Sequence, residues 1–478
     1  MEHIIMSTEM TRMHVVWMLL VVLASGCVSS SIGSDVSAVK KLAHVPTLPK
    51  VSQQNVDAES AEDARELLKR PLDAEGAVRV ALLNNRELRA VLRELGIARG
   101  RMMQAGVVAN PLVEVELLPE RDSDLELRVE YQITSLLMAP MHKRAEEHAL
   151  EAARFEVAGE VVELGYEVRV AFYALQAAEQ QLALAQQTLD ALAAGRDAAV
   201  ALLQAGNIPG LDASTQIAGY ERARITVAKQ ELTVAELREA MQRLLGLYGQ
   251  ETQWTVASTL LNAPEETPDL KRVEASAIAA NLGLRATKKR LDALAKRTGI
   301  ARTEGYLPEV SVDVHSLHTD AEGPGAEKEW RWGGGVSVEV PLFDRKQGRR
   351  REVEAEFDAL LERYQGLAID LRSQAREVRN RLVSAHLRAR QYERVIVPAQ
   401  RAVMEQTLLQ YNAMQLSVFQ LLQARREQLD VELAYIDTLR EYWSAEAELT
   451  ALLSGRMVKT KRSDGVSREA SSEPEGGH

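Results

Sequence analysis

The chain has 478 residues and a net charge of −11, aromatic residues make up 4% of it, and it holds a single cysteine. The acidic balance, with no block of basic residues standing out against it, argues against nucleic acid as a partner. One cysteine excludes an internal disulfide and a cysteine-based metal site. No phosphate-binding loop, nucleophile elbow or dinucleotide fingerprint is present, so the expectation is a non-enzyme without a cofactor. Abundant Ala, Leu, Glu, Gln and Arg favour long helices packed through small side chains over thick globular cores.

The first residues read as a secretory leader. Residues 15–24 form an apolar run too short to span a bilayer as a helix, ending in Ala24-Ser25-Gly26-Cys27. Residues 1–26 are therefore expected to be a signal peptide. Glu2 and Glu9 stand where positive charge is usual, and a start at Met10 fits better. Small residues before a lone cysteine resemble a bacterial lipobox, which makes Cys27 the lipidation site and the mature N-terminus; an ordinary leader with an incidental cysteine is the alternative. An acylated Cys27 would anchor the chain to membrane lipid without spanning it. Val28, by resemblance to lipoproteins that lack Asp at this position, favours the outer membrane. Residues 27–72 then read as an extended arm with one short helix near 61–69.

From Asp73 the pattern becomes helical and begins a unit that the chain writes twice. Residues 73–248 form the first copy, 249–269 a connector with Trp254 and two prolines, and 270–455 the second. Asn85-Arg86-Glu87-Leu88-Arg89-Ala90 opens a helix in the first, and Asn281-Leu282-Gly283-Leu284-Arg285-Ala286 in the second. The spacing of roughly 200 residues marks an internal duplication. Each helix ends near a proline, Pro111 or Pro308, and a pair of alternating runs follows, at 112–134 and 309–342.

In these runs Val113, Val115, Leu117, Leu127, Val129, Tyr131 and Ile133 alternate with Glu114, Glu116, Glu126, Arg128 and Glu130. Val310, Val312, Val314, Val336, Val338 and Val340 alternate with Asp313, His315 and Glu339. Period two with charged alternates predicts strands with one wet face. In a soluble sheet that face is the exterior; in a transmembrane barrel it is the lumen. Four strands cannot close a barrel, whereas twelve from three chains can. Trp330 and Trp332 suit an interfacial aromatic belt or ordinary strand positions.

A long helix follows each strand pair. The first is predicted over 143–204, then a turn near 205–211, then a return helix over 211–247. The second is predicted over 346–414 with a kink at Pro398, a turn within 411–420, and a return over 416–453. Residues 456–478, rich in Ser, Glu, Gly and Lys, are predicted to be a disordered tail. His142, His148, His315 and His318 lack chelating helical spacing, so no metal site is expected.

Lipobox, tandem helix–strand–strand–helix units, the Asn-x-x-Leu-Arg-Ala openings, the run Val338-Glu339-Val340-Pro341-Leu342-Phe343 and the paired turns together resemble the TolC-like outer membrane efflux protein family, in its lipoprotein form, over roughly residues 70–455. The resemblance implies a mostly α fold with a minor β part, long antiparallel coiled-coil helices and four β-strands per chain. It further implies a homotrimer forming a 12-stranded barrel and an α-helical tunnel. The implied partners are a periplasmic adaptor and an inner membrane pump of RND or ABC type, and the implied function is a passive export duct. In that reading the periplasmic tip and gate comprise Gly206, Asp212, Tyr411, Met414, Leu416, Gln420 and Gln423. Tyr411 would hold a closed state against Asp212. Met414 stands where glycine is usual, Leu416 replaces a restraining arginine, and Gln420 and Gln423 replace acidic pore residues. A periplasmic coiled-coil adaptor or scaffold lipoprotein is the alternative, disfavoured because adaptors carry one hairpin between β-rich halves.

Overall fold

The computed structural model describes residues 32–49, 56–118, 124–257, 259–266, 270–320 and 328–456. The leader, Cys27 and the tail beyond Arg456 lie outside the described residues. Two short helices come first, α1 (Gly33–Leu42) and α2 (Val56–Leu68). The first copy of the repeat gives α3 (Ala74–Asn84), α4 (Arg86–Ala105), β1 (Leu112–Leu118) and β2 (Asp124–Gln132). It continues into α5 (Ile133–Gln204) and α6 (Gly210–Leu245). The second gives α7 (Val273–Ala280), α8 (Leu282–Glu304), β3 (Glu309–Asp320), β4 (Lys328–Glu339), α9 (Gln347–Gln391), α10 (Val397–Asn412) and α11 (Val418–Leu453). At 72 residues, α5 is about 108 Å long.

The repeated Asn opening has a physical reason that both copies share. Asn85 caps α4 by accepting from the Leu88 N–H at 2.9 Å, and its amide donates to the Leu244 carbonyl at the end of α6. Asn281 caps α8 by accepting from the Leu284 N–H at 2.8 Å, and donates to the Arg456 carbonyl just beyond α11. The arginine four residues on braces the preceding helix in each copy: Arg89 donates to Leu83 O and Arg285 to Ala279 O. One side chain thus starts a helix and holds the end of the return helix. Gly246 and Gly455 finish the return helices with φ of +68° and +97°. At each, a Cβ would strike the carbonyl of Asn84 or Ala280, so only glycine fits.

The core lies midway along the long helices. Val39 of α1 buries together with Ala77, Val80, Leu92, Phe172, Leu175, Met241 and Leu245 of the first copy. Leu371, Val378, Leu382, Leu439, Tyr442 and Leu452 do so in the second. The connector is strapped across this girth: Leu72 and Val256 form a parallel bridge, and Trp443 donates to Leu261 O at 2.8 Å. Arg456 ties the copies to each other. Its guanidinium bonds Glu163 at 2.5 and 3.1 Å and lies 3.7 Å over the Tyr166 ring.

Three expectations need correction. The arm is not extended: α1 is a helix, and Val36, Val39 and Asp35 on it are buried. Asp35 bonds Arg99 of α4 at 2.5 Å and Arg154 of α5 at 2.6 Å, so this short helix is held by tertiary partners that no local pattern announces. The first long helix starts at Ile133 directly after β2, with Pro140 inside it, rather than at Lys143. The break predicted at Pro398 is a five-residue π turn, Tyr392–Ile396, just upstream. Widening the ladder there leaves Pro398 in the first turn of α10, where its missing N–H does no harm.

Candidate export channel

The four strands form one antiparallel sheet in the order β1-β2-β3-β4, which leaves β1 and β4 as edges. Directly paired residues of an antiparallel sheet share a face. The register aligns Val113, Val129, Val314 and Gly334 on one face, and beside them Val115, Leu127, Ser316 and Trp332. Val336, Val338, Trp330, Val310 and Val312 fall on that face too. It is apolar yet exposed in the single chain: Trp332 is 74%, Val336 69% and Leu117 69% accessible.

The other face gathers charge. Glu114, Arg128, His315 and Gly333 align, as do Glu116, Glu126, Leu317 and Arg331, and Glu130, Asp313 and Gly335. Glu309 pairs with Glu339 on this face as well, so carboxylates outnumber its arginines and its histidine. Gly333 and Gly335 clear space for the side chains of His315 and Asp313, which lean across β4; a Cβ at either glycine would collide with them. His315 Nδ1 lies 2.9 Å from Asp313 Oδ2. An apolar face without cover from the described residues, and a charged face opposite it, are what a strand in a transmembrane barrel wall requires.

At the foot of the sheet the charged face opens on a cavity of about 570 Å³, lined by Glu130, His142, Glu304, Glu309, Glu339 and Lys346 among others. His142 and Glu304 come from different copies and meet at 3.2 Å. Sequence reading missed this cavity because only the duplicated fold brings them together. Among the described residues no cluster of three or more His, Cys, Asp and Glu is arranged to hold a metal. Among the same residues no helix is long and apolar enough to cross a membrane.

The two turns at the far end of the helices are the same device. In the first, Gly206 N–H donates to Leu203 O and Asn207 N–H to Leu202 O; in the second, Met414 donates to Tyr411 O and Gln415 to Gln410 O. Gly206 has φ +72° and Met414 φ +58°, so the methionine occupies a left-handed position that glycine takes in the first copy. Met414 is 94% exposed at the apex. Leu416 is half-buried behind it. Pro209 precedes α6, and Asp212 sits exposed in that helix's first turn, where the dipole favours an acid. Ser417 caps α11 in a reciprocal pair with Gln420, whose side chain folds back to accept from the Ser417 N–H at 2.9 Å. Gln423 donates along the helix to Glu427. Tyr411 and Asp212 both lie at this tip but form no hydrogen bond with each other within the single chain.

Near the tip α5 and α11 are in contact. Arg425 reaches Gln187, and a Cβ on Gly195 would strike Leu422. The two hairpins therefore end side by side.

These features give the chain the fold of the TolC-like outer membrane channels, four antiparallel strands and a double helical hairpin per chain. No protein-family model matches the chain. It is 25% identical over 397 residues to the cobalt-zinc-cadmium resistance protein CzcC of Cupriavidus metallidurans, covering 80% of this chain and 90% of that protein. Among solved structures it is similar to the outer-membrane channel OprN, with a TM-score of 0.65 at 19% identity, covering 87% of this chain and 95% of OprN. It is also similar to the CmeC outer membrane channel of Campylobacter jejuni, with a TM-score of 0.65 at 15% identity, covering 87% and 92%.

Proposed function

We propose that three copies of this chain join edge to edge, β4 of one to β1 of the next, into a twelve-stranded barrel that continues as a helical periplasmic tunnel. The observation that carries this is the strand register, which gathers most apolar residues of the four strands on one uncovered face and most carboxylates on the other. In this reading the duct is passive, anchored by a lipid on Cys27. The turns at 205–212 and 411–420 meet a periplasmic adaptor that leads to an inner membrane pump of the RND or ABC type. The cargo we favour is a divalent metal cation, because the relative CzcC is named for cobalt, zinc and cadmium resistance and because the charged face is strongly acidic.

The purified protein should run as a heat-modifiable trimer from the outer membrane fraction and open pores in a planar bilayer. A water-soluble monomer without bilayer activity would end the proposal. Within it, Tyr411 and Asp212 form the closed-state latch, working with the neighbouring tip residues Gly206, Met414, Leu416, Gln420 and Gln423. Replacing Tyr411 by Phe should raise basal conductance, and an unchanged conductance would remove the latch.

A further inference from the structure

Against the expectation that no basic block stands out, the chain carries one local excess of positive charge. Between β4 and α9, residues 344–351 read Asp-Arg-Lys-Gln-Gly-Arg-Arg-Arg, five basic side chains against one acid. Arg349, Arg350 and Arg351 stand at the start of a 45-residue helix whose first turn holds no acid. A helix N-terminus favours negative charge, so stacking cations there raises the local potential instead of relieving it. Asp344, Glu352 and Glu354 answer Lys346, Arg349 and Arg350. Arg345 and Arg351 find no carboxylate among the described residues.

The corner is pre-shaped. Lys346 holds φ +53°, its N–H donates to Asp344, the Arg345 N–H donates to the Gln347 side chain, and Gln347 donates back to Phe343 O. Gly305 admits the Arg345 carbonyl where a Cβ would collide. Phe343 (92% accessible), Leu342 and Tyr306 flank the cations and have no protein cover.

Depth decides what covers them. The apolar face of β4 runs at period two from Trp330 to Val338, roughly 26 Å of strand, and the chain turns beyond it, the Leu342 N–H donating to Val340 O. At a barrel tilt of about 40° that spans about 20 Å, most of an apolar band of about 25 Å. Arg345 follows two residues after Phe343, beyond the end of the strand, at headgroup level on the side from which the helices depart. The corresponding corner of the first copy passes from β2 straight into α5 and meets no lysine or arginine before Lys143.

We infer that the corner formed by Arg345, Lys346, Arg349 and Arg351 with Phe343 and Tyr306 binds an anionic phospholipid of the periplasmic leaflet, one per chain. The phosphate takes the unpaired guanidinium groups and the acyl chains lie along Phe343 and Leu342. The inference rests on the barrel reading. Full-length protein in detergent is titrated with phosphatidylglycerol and phosphatidylethanolamine of matched chains, and bound lipid is counted by native mass spectrometry. Phosphatidylglycerol should win by about tenfold or more, since each cation near an anionic headgroup contributes a factor of about five. The combined Arg345→Gln, Arg349→Gln and Arg351→Gln variant should lose that preference, and the matching Arg→Lys variant should keep most of it. Equal binding of both lipids by the wild type, an undiminished preference in the Gln variant, or displacement of phosphatidylglycerol by lipid A would each overturn the inference. Pore formation is measured separately, so a failure of the barrel is distinguishable from a failure of the lipid site.

Discussion

Replacing Asn281 by Ala tests whether the repeated opening motif holds the molecule together at its girth. Asn281 is fully buried and does two things at once, capping α8 and donating to the Arg456 carbonyl. Loss of an Asn cap costs about 1 kcal/mol. Loss of the amide leaves a half-buried carbonyl without its donor, a further 1–3 kcal/mol or so. The sum is about 2–4 kcal/mol, concentrated where the last turn of α11 meets the start of α8. Asn281→Ser keeps an oxygen for the Leu284 N–H but cannot reach Arg456, so it should recover roughly the cap alone, about 1 kcal/mol. Native-state hydrogen exchange on the purified protein reads both effects locally. The Leu284 amide should open readily in the Ala variant and stay protected in the Ser variant. The amides ending α11 should lose protection in both. Protection within about 0.5 kcal/mol of wild type in the Ala variant would refute the reasoning, because a buried bifunctional residue cannot be that cheap to delete.

Further outcomes follow from the same geometry. Met414→Gly removes about 1–2 kcal/mol of left-handed strain and returns part of it as unfolded-chain entropy. It should therefore stabilise the second turn by about 0.5–1 kcal/mol, seen as slower exchange of the Gln415 amide. Arg456→Gln removes a charged hydrogen-bond partner from the buried Glu163 carboxylate and should cost about 1.5–3 kcal/mol, measured as a drop in thermal midpoint. Burial would raise the Asp35 carboxyl, but hydrogen bonds and charge from Arg99 and Arg154 outweigh it and hold the group below the usual range. Its contribution is thus present above the ordinary Asp value near 4 and is lost as pH falls through the depressed native one. Limited proteolysis within 43–49 should accelerate only in that acid range, and Asp35→Asn should show the faster cleavage already at neutral pH.

How much of this was legible in the sequence depended on the length scale of each signal. Alternation over four strands fixed both faces of the sheet, because period two allows no intermediate answer and the pairing of Val113 with Val129 and Val314 respects it. The hairpin turns were legible from Gly206-Asn207 and from the Tyr411–Ser417 region. The reason Met414 can replace a glycine was not, because it lies in backbone hydrogen bonds that any residue can make. Helix α1 was missed because ten residues with two buried valines carry no long periodicity, and its hold comes from Arg99 and Arg154, far along the chain. The side chain of Gln420 is engaged with Ser417 in a helix cap, a Ser-x-x-Gln pattern that the sequence itself carries.

In the proposed channel the tip must open, and the Ser417–Gln420 cap resists that. A residue committed to a cap is costly to swing into a lumen, since releasing Gln420 exposes the Ser417 N–H and loosens the first turn of α11, about 1 kcal/mol. Asp212, its counterpart in the first copy, sits free in the equivalent turn of α6 and needs no such release. The two turns share a backbone but not a side-chain economy: one apex is glycine followed by a free acid, the other a strained, exposed methionine followed by a self-satisfied amide. A conformational change that parts the hairpins therefore meets less resistance at Gly206–Asp212 than at Met414–Gln420. Gln420→Asp should shift that balance. Aspartate can still cap, but its charge would face the Asp212 carboxylate across the tip, so the variant should open at lower applied potential in a bilayer. If Gln420→Asp and wild type gate alike, the tip does not bring the two hairpins close enough for their first turns to sense each other.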